Sequence, residues 1–338
     1  MRVLLIGGTG FIGRRVVDHL QRRGHSVAIF HRGQTSSLTM IDAPRIHGNR
    51  LEIDQHISRI MEFKPDAVVD LLPWNDMDTQ RVIDTFKGRV ERVVHLSSGD
   101  VYKAWGNLLK GAYGEPVPLS ETASLREDLY PYAGKHAGME HYDKMLAERV
   151  ILHAHYHEGY PGVIVRLPMV YGPDDRQHRT YEYVRRMKDE RPAILMGCCH
   201  AAWLWQRGYV DDVAFAITLA VERPSATGQI YNVGDRITLS MAGWVRAIGN
   251  VLGWDGEIVL VPDERLPSHL QNPYIFQQHF LFDTTKIRRE LGYQELVDPD
   301  DALCLTVEWQ SGNPPSDADR RPLDYAAEDA ALKEAAGV

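Results

Sequence analysis

Residues 3–13 constrain this chain more than any other stretch. Residues 3–6 form a short apolar run, and Gly7-Gly8-Thr9-Gly10-Phe11-Ile12-Gly13 follows it directly. A helical pattern over residues 13–23 comes next, closed by Gly24-His25. A strand running into a glycine turn and then a helix is built to hold phosphate. The glycines allow the tight turn and let backbone N–H groups approach the ligand, and the positive end of the helix dipole faces the anion. The loop therefore predicts a dinucleotide whose diphosphate lies over Gly7, Thr9, Gly10, Phe11, Ile12 and Gly13.

Further apolar, β-branched runs at residues 26–30, 67–71, 93–96 and 163–167 look like parallel strands buried on both faces. Strands alternating with helices predict an α/β fold, a Rossmann-type doubly wound parallel sheet with a smaller C-terminal α/β part that binds substrate. Residues 1–173 are expected to form the dinucleotide-binding domain. Past Pro173 the pattern loosens, with helices expected over 174–191, 213–221, 241–252 and 283–291, loop and short strand over 192–205, and a short strand over 229–233. Residues 174–310 are assigned mostly to the substrate part, with 208–234 returning to the core. The tail, 311–338, is either loose or a helix packed on a neighbouring element.

The end of the second apolar run selects the cofactor. An acid there would bind a ribose 2′-OH and repel a 2′-phosphate, whereas a base does the reverse. Here stand His31-Arg32-Gly33, followed by Gln34, Thr35, Ser36 and Ser37. Arg32 offers charge and paired donors to a 2′-phosphate, which predicts NADP over NAD, with NAD as the alternative.

Bulk properties narrow the remaining classes. The net charge of −8 speaks against nucleic acid or an anionic membrane as the main partner. No apolar run approaches the ~20 residues that span a bilayer. The three cysteines, Cys198, Cys199 and Cys304, make no disulfide framework. Residues 2–6 lead straight into the glycine loop, so no signal peptide is expected and a cytoplasmic protein is. His153 and His157 share a helix face without a nearby acid, so no metal site is expected.

Taken together the motifs resemble the extended short-chain dehydrogenase/reductases of the NAD-dependent epimerase/dehydratase type, over about residues 1–300. The GxxGxxG spacing falls on Gly7, Gly10 and Gly13. Asn49 and Arg50 lie where the family's adenine-contacting acid and its neighbour stand, and Leu71-Leu72-Pro73 where an apolar stretch runs along the cofactor. Ser97 to Tyr102 follow the SSxxVY pattern. Arg166 with Tyr171-Gly172-Pro173, Arg207 to Ala214, and Asp283 to Lys286 with Leu291 to Tyr293 complete the likeness. The resemblance implies that Ser98 orients a substrate oxygen and that Arg207 sits where sugar-nucleotide members hold a diphosphate. Met169 replaces the amide usual near the substrate. A homodimer is implied by resemblance alone. Trp203, Trp205, Tyr181 and Tyr183 are either core or a stacking surface for substrate.

The family's proton-transfer tyrosine stands four residues before a lysine on one helix, and here that pattern breaks. Lys144 lies 166 − 144 = 22 residues before Arg166, the family's spacing, with Glu148 at i+4. A helix over 139–150 is expected to carry Lys144, Glu148 and, in the tyrosine's place, Glu140. Three readings follow. Glu140 is a general base with a raised pKa; or a tyrosine from the preceding insert (Tyr113, Tyr130 or Tyr132) supplies the proton; or Glu140 and Lys144 are a helical ion pair. Such departures resemble the family's atypical branch, which includes reductases, sugar-dehydratase-like proteins and RNA-associated proteins. The leading expectation is an NADP(H)-dependent oxidoreductase or epimerase acting on a hydroxyl or carbonyl of a small, sugar-like or nucleotide-linked metabolite. The alternatives are a non-redox cofactor-binding protein (a sensor or RNA-associated member) and a lyase or isomerase using Glu140.

Overall fold

A computed structural model describes residues 1–33, 42–316 and 323–337. The first half alternates strands and helices: β1 (Arg2–Ile6), α1 (Phe11–Arg22), β2 (Ser26–His31), β3 (Arg45–His47), α2 (Ile57–Glu62), β4 (Ala67–Asp70), α3 (Asp76–Phe86) and β5 (Arg92–Ser98). Then follow α4 (Lys103–Lys110), α5 (Lys144–Glu158), β6 (Gly162–Leu167), β7 (Met169–Tyr171), α6 (Tyr181–Lys188), β8 (Ala193–Gly197), α7 (Cys198–Ala202) and β9 (Arg207–Tyr209). The chain ends with α8 (Val210–Glu222), β10 (Ile230–Asn232), α9 (Met241–Leu252), β11 (Glu257–Val261), α10 (Thr285–Leu291), α11 (Pro299–Gly312) and α12 (Tyr325–Ala335).

Seven of these strands form one parallel sheet in the order β10-β6-β5-β4-β1-β2-β3. The period of two along a strand sends alternate side chains to opposite faces. Along β1, Val3 and Leu5 enter one apolar cluster while Leu4 and Ile6 enter the other. Burial on both faces is why these strands read as continuous apolar runs. The winding reverses between β1 and β4, which opens the crevice where such sheets take their ligands. Two small parallel pairs, β7–β9 and β8–β11, sit apart from the main sheet. Among the described residues no helix is long and apolar enough to cross a membrane.

Two elements depart from expectation, and the tail takes one of its two expected forms. The helix expected over 174–191 covers only α6. Before it, Asp175 folds the chain into a loop by accepting the backbone N–H of Gln177 at 3.1 Å and pairing with Arg179 at 2.8 Å. The helix expected from residue 139 begins at Lys144, because Asp143 caps it and accepts the N–H groups of Met145 and Leu146. The tail forms α12 and packs on its own chain: Glu328 is buried between Arg186 (2.8 Å) and His269 (2.9 Å).

Candidate active site

The glycine loop fits a diphosphate. Gly7 and Gly8 hold φ of +111° and +44°, conformations that a side chain would strain. A Cβ on Gly13 would come within 2.7 Å of Gly8 Cα, so this glycine lets α1 press against the loop. A Cβ on Gly10 would meet nothing within 4 Å, and no side chain caps α1. The first-turn N–H groups of Phe11, Ile12 and Gly13 are thus left to an anion. Leu71 and Leu72 overlie the loop at Gly7, where a Cβ would touch both at 3.3–3.4 Å.

Around the end of β2, Arg32 is exposed, and His31 is buried with its Nδ1 accepting the Gly33 N–H at 3.0 Å. Gln34 to Ser37 lie outside the described residues. Asn49 caps the turn that follows it by accepting the Leu51 N–H. Arg50 does not extend toward an adenine. Its guanidinium is held by Asp70 at 3.0 and 3.2 Å and by Asp78 at 3.3 Å. Asp70 ends β4 with no exposure at all. Burial works to raise its pKa, but Arg50, His95 and the Leu72 N–H outweigh it and hold the carboxyl at about 2.

A cavity of about 700 Å³ opens at the carboxyl end of β5. Ser98, Asp100, Tyr132 and Tyr142 line it on the sheet side, together with Met169. Its walls carry Tyr181, Tyr183, Trp203 and Trp205, the last two stacked at 5.1 Å. Lys144 is buried next to this cluster. Its ammonium donates to the Leu96 carbonyl at 2.9 Å and lies 5.8 Å from the centre of the Tyr142 ring. Burial pulls its pKa down to about 8, against the opposing pull of Asp70 and Asp100. The Tyr142 hydroxyl faces both Asp100 and Ser98, and Tyr132 donates to Asp100 Oδ2 at 3.1 Å. Burial and the Asp100 carboxylate push both phenols well above their ordinary pKa, and burial also raises Asp100 itself.

Other expected residues are not brought to this place. Glu140 precedes the helix, is exposed, and turns its Oε1 to the Gly138 N–H at 3.0 Å. Backbone N–H groups hold its pKa low, so it is neither a base with a raised pKa nor the ion-pair partner of Lys144. The reason is the Asp143 cap, which takes position 140 off the helix face. Tyr130 is 39% exposed at φ +50°, Tyr113 is 71% exposed, and neither lines the cavity. Arg207 is sequestered behind the wall. It donates to the carbonyls of Trp205 and Leu239, and its guanidinium covers the Trp244 ring at 4.4 Å.

Tyr142 and Asp100 are the residues that motif reading missed. Both stand inside segments that attract attention for other positions. The signal for Tyr142 was Asp143, a strong N-cap residue directly before an apolar helical pattern. A helix starting there places Tyr142 beside the lysine rather than one turn away.

The model of the NAD dependent epimerase/dehydratase family matches residues 3–234. The chain belongs to this family. It is accordingly an enzyme of the nicotinamide-dependent epimerase/dehydratase type, built on the extended short-chain dehydrogenase/reductase fold. A dTDP-glucose 4,6-dehydratase of Streptomyces niveus is 26% identical, with 93% of this chain and 94% of that protein covered. A chloroplast stem-loop binding protein of Arabidopsis thaliana is 21% identical over 98% of this chain and 84% of that one. Among solved structures, a dTDP-glucose 4,6-dehydratase of Bacillus anthracis in complex with NAD aligns with a TM-score of 0.70 at 16% identity, covering 93% of this chain and 97% of that one. A UDP-glucuronic acid 4-epimerase of Bacillus cereus, in complex with UDP-glucuronic acid and NAD, also aligns at 0.70, with 20% identity and 92% and 99% coverage.

In this family member the matched arginine of β6 has a structural use. Arg166 is 2% exposed and grips Glu148 of α5 with two hydrogen bonds of 2.9 and 2.7 Å. The same carboxylate accepts from Ser97, and Arg166 donates on to Tyr102. This buried network fixes α5 against β5 and β6, and so fixes Lys144 at the site.

Proposed function

We propose that the protein is an NADP(H)-preferring oxidoreductase acting on a hydroxyl or carbonyl carbon of a nucleotide-linked sugar. The observation that carries this reading is the convergence at the carboxyl end of β5 of Ser98 and Tyr142, which line one cavity, with Lys144 buried behind them 5.8 Å from the Tyr142 ring centre. A nicotinamide dinucleotide, when bound, supplies the hydride acceptor or donor. The glycine loop and the open end of α1 would hold its diphosphate, with Leu71 and Leu72 above them and Arg32 at the 2′-phosphate.

The chain's own groups do the rest. The Ser98 and Tyr142 hydroxyls bind the substrate oxygen, and the Tyr142 oxygen holds the proton exchanged with it. The Lys144 ammonium, charged below about pH 8, favours the phenolate of Tyr142 when that proton leaves. Aromatic walls pack against the sugar ring and exclude water. The sugar-nucleotide class is supported by the relatives named above, and the preference for NADP by the positive charge of Arg32.

Two measurements test this reading. In fluorescence titrations NADPH should bind at least tenfold more tightly than NADH, and Arg32→Ala should remove most of that difference, a loss of about 1.5–3 kcal/mol for a charge-assisted contact. Equal affinities for the two cofactors would defeat the NADP assignment. With a panel of UDP- and dTDP-sugars, Tyr142→Phe should lower kcat by about a hundredfold or more while leaving the cofactor Kd unchanged. Wild-type turnover in that variant would remove Tyr142 from the mechanism.

A further inference from the structure

Tyr142 needs a partner that returns its proton. The Lys144 ammonium donates to the Leu96 carbonyl and lies 5.8 Å from the Tyr142 ring centre. Asp100 stands between two phenols. Its Oδ2 accepts from Tyr132 at 3.1 Å, Oδ1 is buried without a hydrogen bond, and the carboxyl also faces the Tyr142 hydroxyl. The rings of Tyr132 and Tyr142 are 5.4 Å apart, and Tyr132 lies edge-on to the exposed His136 at 5.6 Å. Among the described residues no guanidinium hydrogen-bonds this carboxyl, and Arg126 opposes its burial through charge alone. Arg126 reaches only the Asp100 carbonyl, at 2.9 Å, and its terminal nitrogens go to Asp143 and to the Asp128 carbonyl. A buried carboxyl without an ion pair, touching two hydroxyls, is suited to pass a proton and unsuited to hold a fixed charge.

We infer that Tyr142, Asp100 and Tyr132 form a proton relay joining the substrate oxygen to the cavity's outer wall at His136. The inference rests on the oxidoreductase reading above. Reduction of a carbonyl forms a C–H bond with a hydride from the reduced nicotinamide and leaves negative charge on oxygen. That oxygen takes the Tyr142 proton, the Asp100 carboxylate takes the proton of Tyr132, and the carboxyl so formed hands a proton on to the Tyr142 phenolate. Tyr132 recovers its proton from solvent beside His136, so one hydride and one proton are consumed per carbonyl reduced. Oxidation of an alcohol runs the same transfers backwards. Asp100 and Tyr132 are thereby positioning residues, since they act on substrate through Tyr142. The groups facing Asp100 are Tyr132 and Arg126 from the insert before α5, Tyr142 from the turn at its start, and Lys144 from its first residue.

Asp100→Asn and Tyr132→Phe test the relay. With UDP-glucose or dTDP-glucose as substrate, each should lower kcat about tenfold or more, with KM within about twofold of wild type. Asp100→Asn should also lower the midpoint of tyrosinate absorbance at 295 nm in the cofactor-free protein. Removing the negative neighbour makes the adjacent phenols easier to ionise, and an unchanged midpoint would mean that the Asp100 carboxylate does not face them. If Asp100→Asn loses its cooperative thermal transition, Tyr132→Phe decides by kcat and by the same titration. Variants with wild-type kcat and an unshifted titration overturn the relay, even where Tyr142→Phe is inactive and the function stands. If wild type turns over neither sugar nucleotide, the proposed function fails and the relay with it.

Discussion

Lys144 shows how one side chain ties stability to the site. Its pKa falls from 10.5 to about 8 in the folded protein because burial disfavours the ammonium. Below pH 8 both folded and unfolded chains carry the charge, and the folded one bears the full desolvation cost. Between pH 8 and 10.5 the unfolded chain binds more protons, so this residue's contribution to stability rises with pH. A shift of this size amounts to about 3 kcal/mol. Urea unfolding of wild type and Lys144→Met at pH 7 and pH 10 should show wild type gaining on the variant by up to that amount. A pH-independent difference would mean that Lys144 is not held in the environment described. Spacing to Arg166 was enough to locate this lysine, since both residues sit in runs fixed by the sheet. Its perturbed charge was not legible, because the residues around it come from two separate segments, Asp70 at the end of β4 and Leu96 and Asp100 in and just after β5.

At the scale of elements, the start of α5 decides which residues line the cavity. Helical periodicity runs back through Met139 in the sequence, and Glu140 falls on the same face as Lys144 only if the helix does too. Periodicity carries no information about where a helix starts; the cap does. Asp143 is wholly buried, caps α5, pairs with Arg126 and accepts the Tyr130 N–H at 2.8 Å. It therefore binds the insert to the helix and sets the turn that carries Tyr142. Asp143→Ala would remove the cap and leave Arg126 buried without its partner, a loss of about 3–5 kcal/mol. Chemical denaturation measures this directly. Hydrogen exchange should also quicken over residues 126–147 before the rest of the sheet opens. A loss below 1 kcal/mol would mean that the insert is held by other contacts.

Across the whole molecule, what could be read from sequence follows burial. Strands covered on both faces announce themselves as apolar runs, and β1, β2, β4, β5 and β6 were all legible for that reason. By contrast β3 has three residues, and β11 pairs with β8 at the molecule's periphery with most of its side chains half-exposed or exposed. The three residues of β3 make no run, whereas residues 258–261 of β11 are an apolar run that is not covered on both faces. The tail was illegible for a related reason: α12 is rich in alanine, sets Ala331 and Leu332 against a small apolar cluster, and buries most fully a carboxylate. Glu328 is 1% exposed and Arg186 3%, and their two hydrogen bonds measure 3.2 and 2.8 Å. Arg186 lies on α6, the helix that gives Tyr181 and Tyr183 to the cavity wall, and Pro315 and Leu323 line that cavity too. Docking of the tail is thus part of the wall's construction. Glu328→Ala would strand a buried guanidinium and His269 together, with an expected loss of about 3–5 kcal/mol in urea unfolding at pH 7. Since Arg186 and His269 hold the Glu328 pKa below its ordinary 4.5 against burial, the stabilisation is present above that value and fades as pH falls through the folded-state pKa. The gap between wild type and Glu328→Ala should therefore narrow in acid, and a gap that stayed constant down to pH 3 would show that α12 docks without this charge.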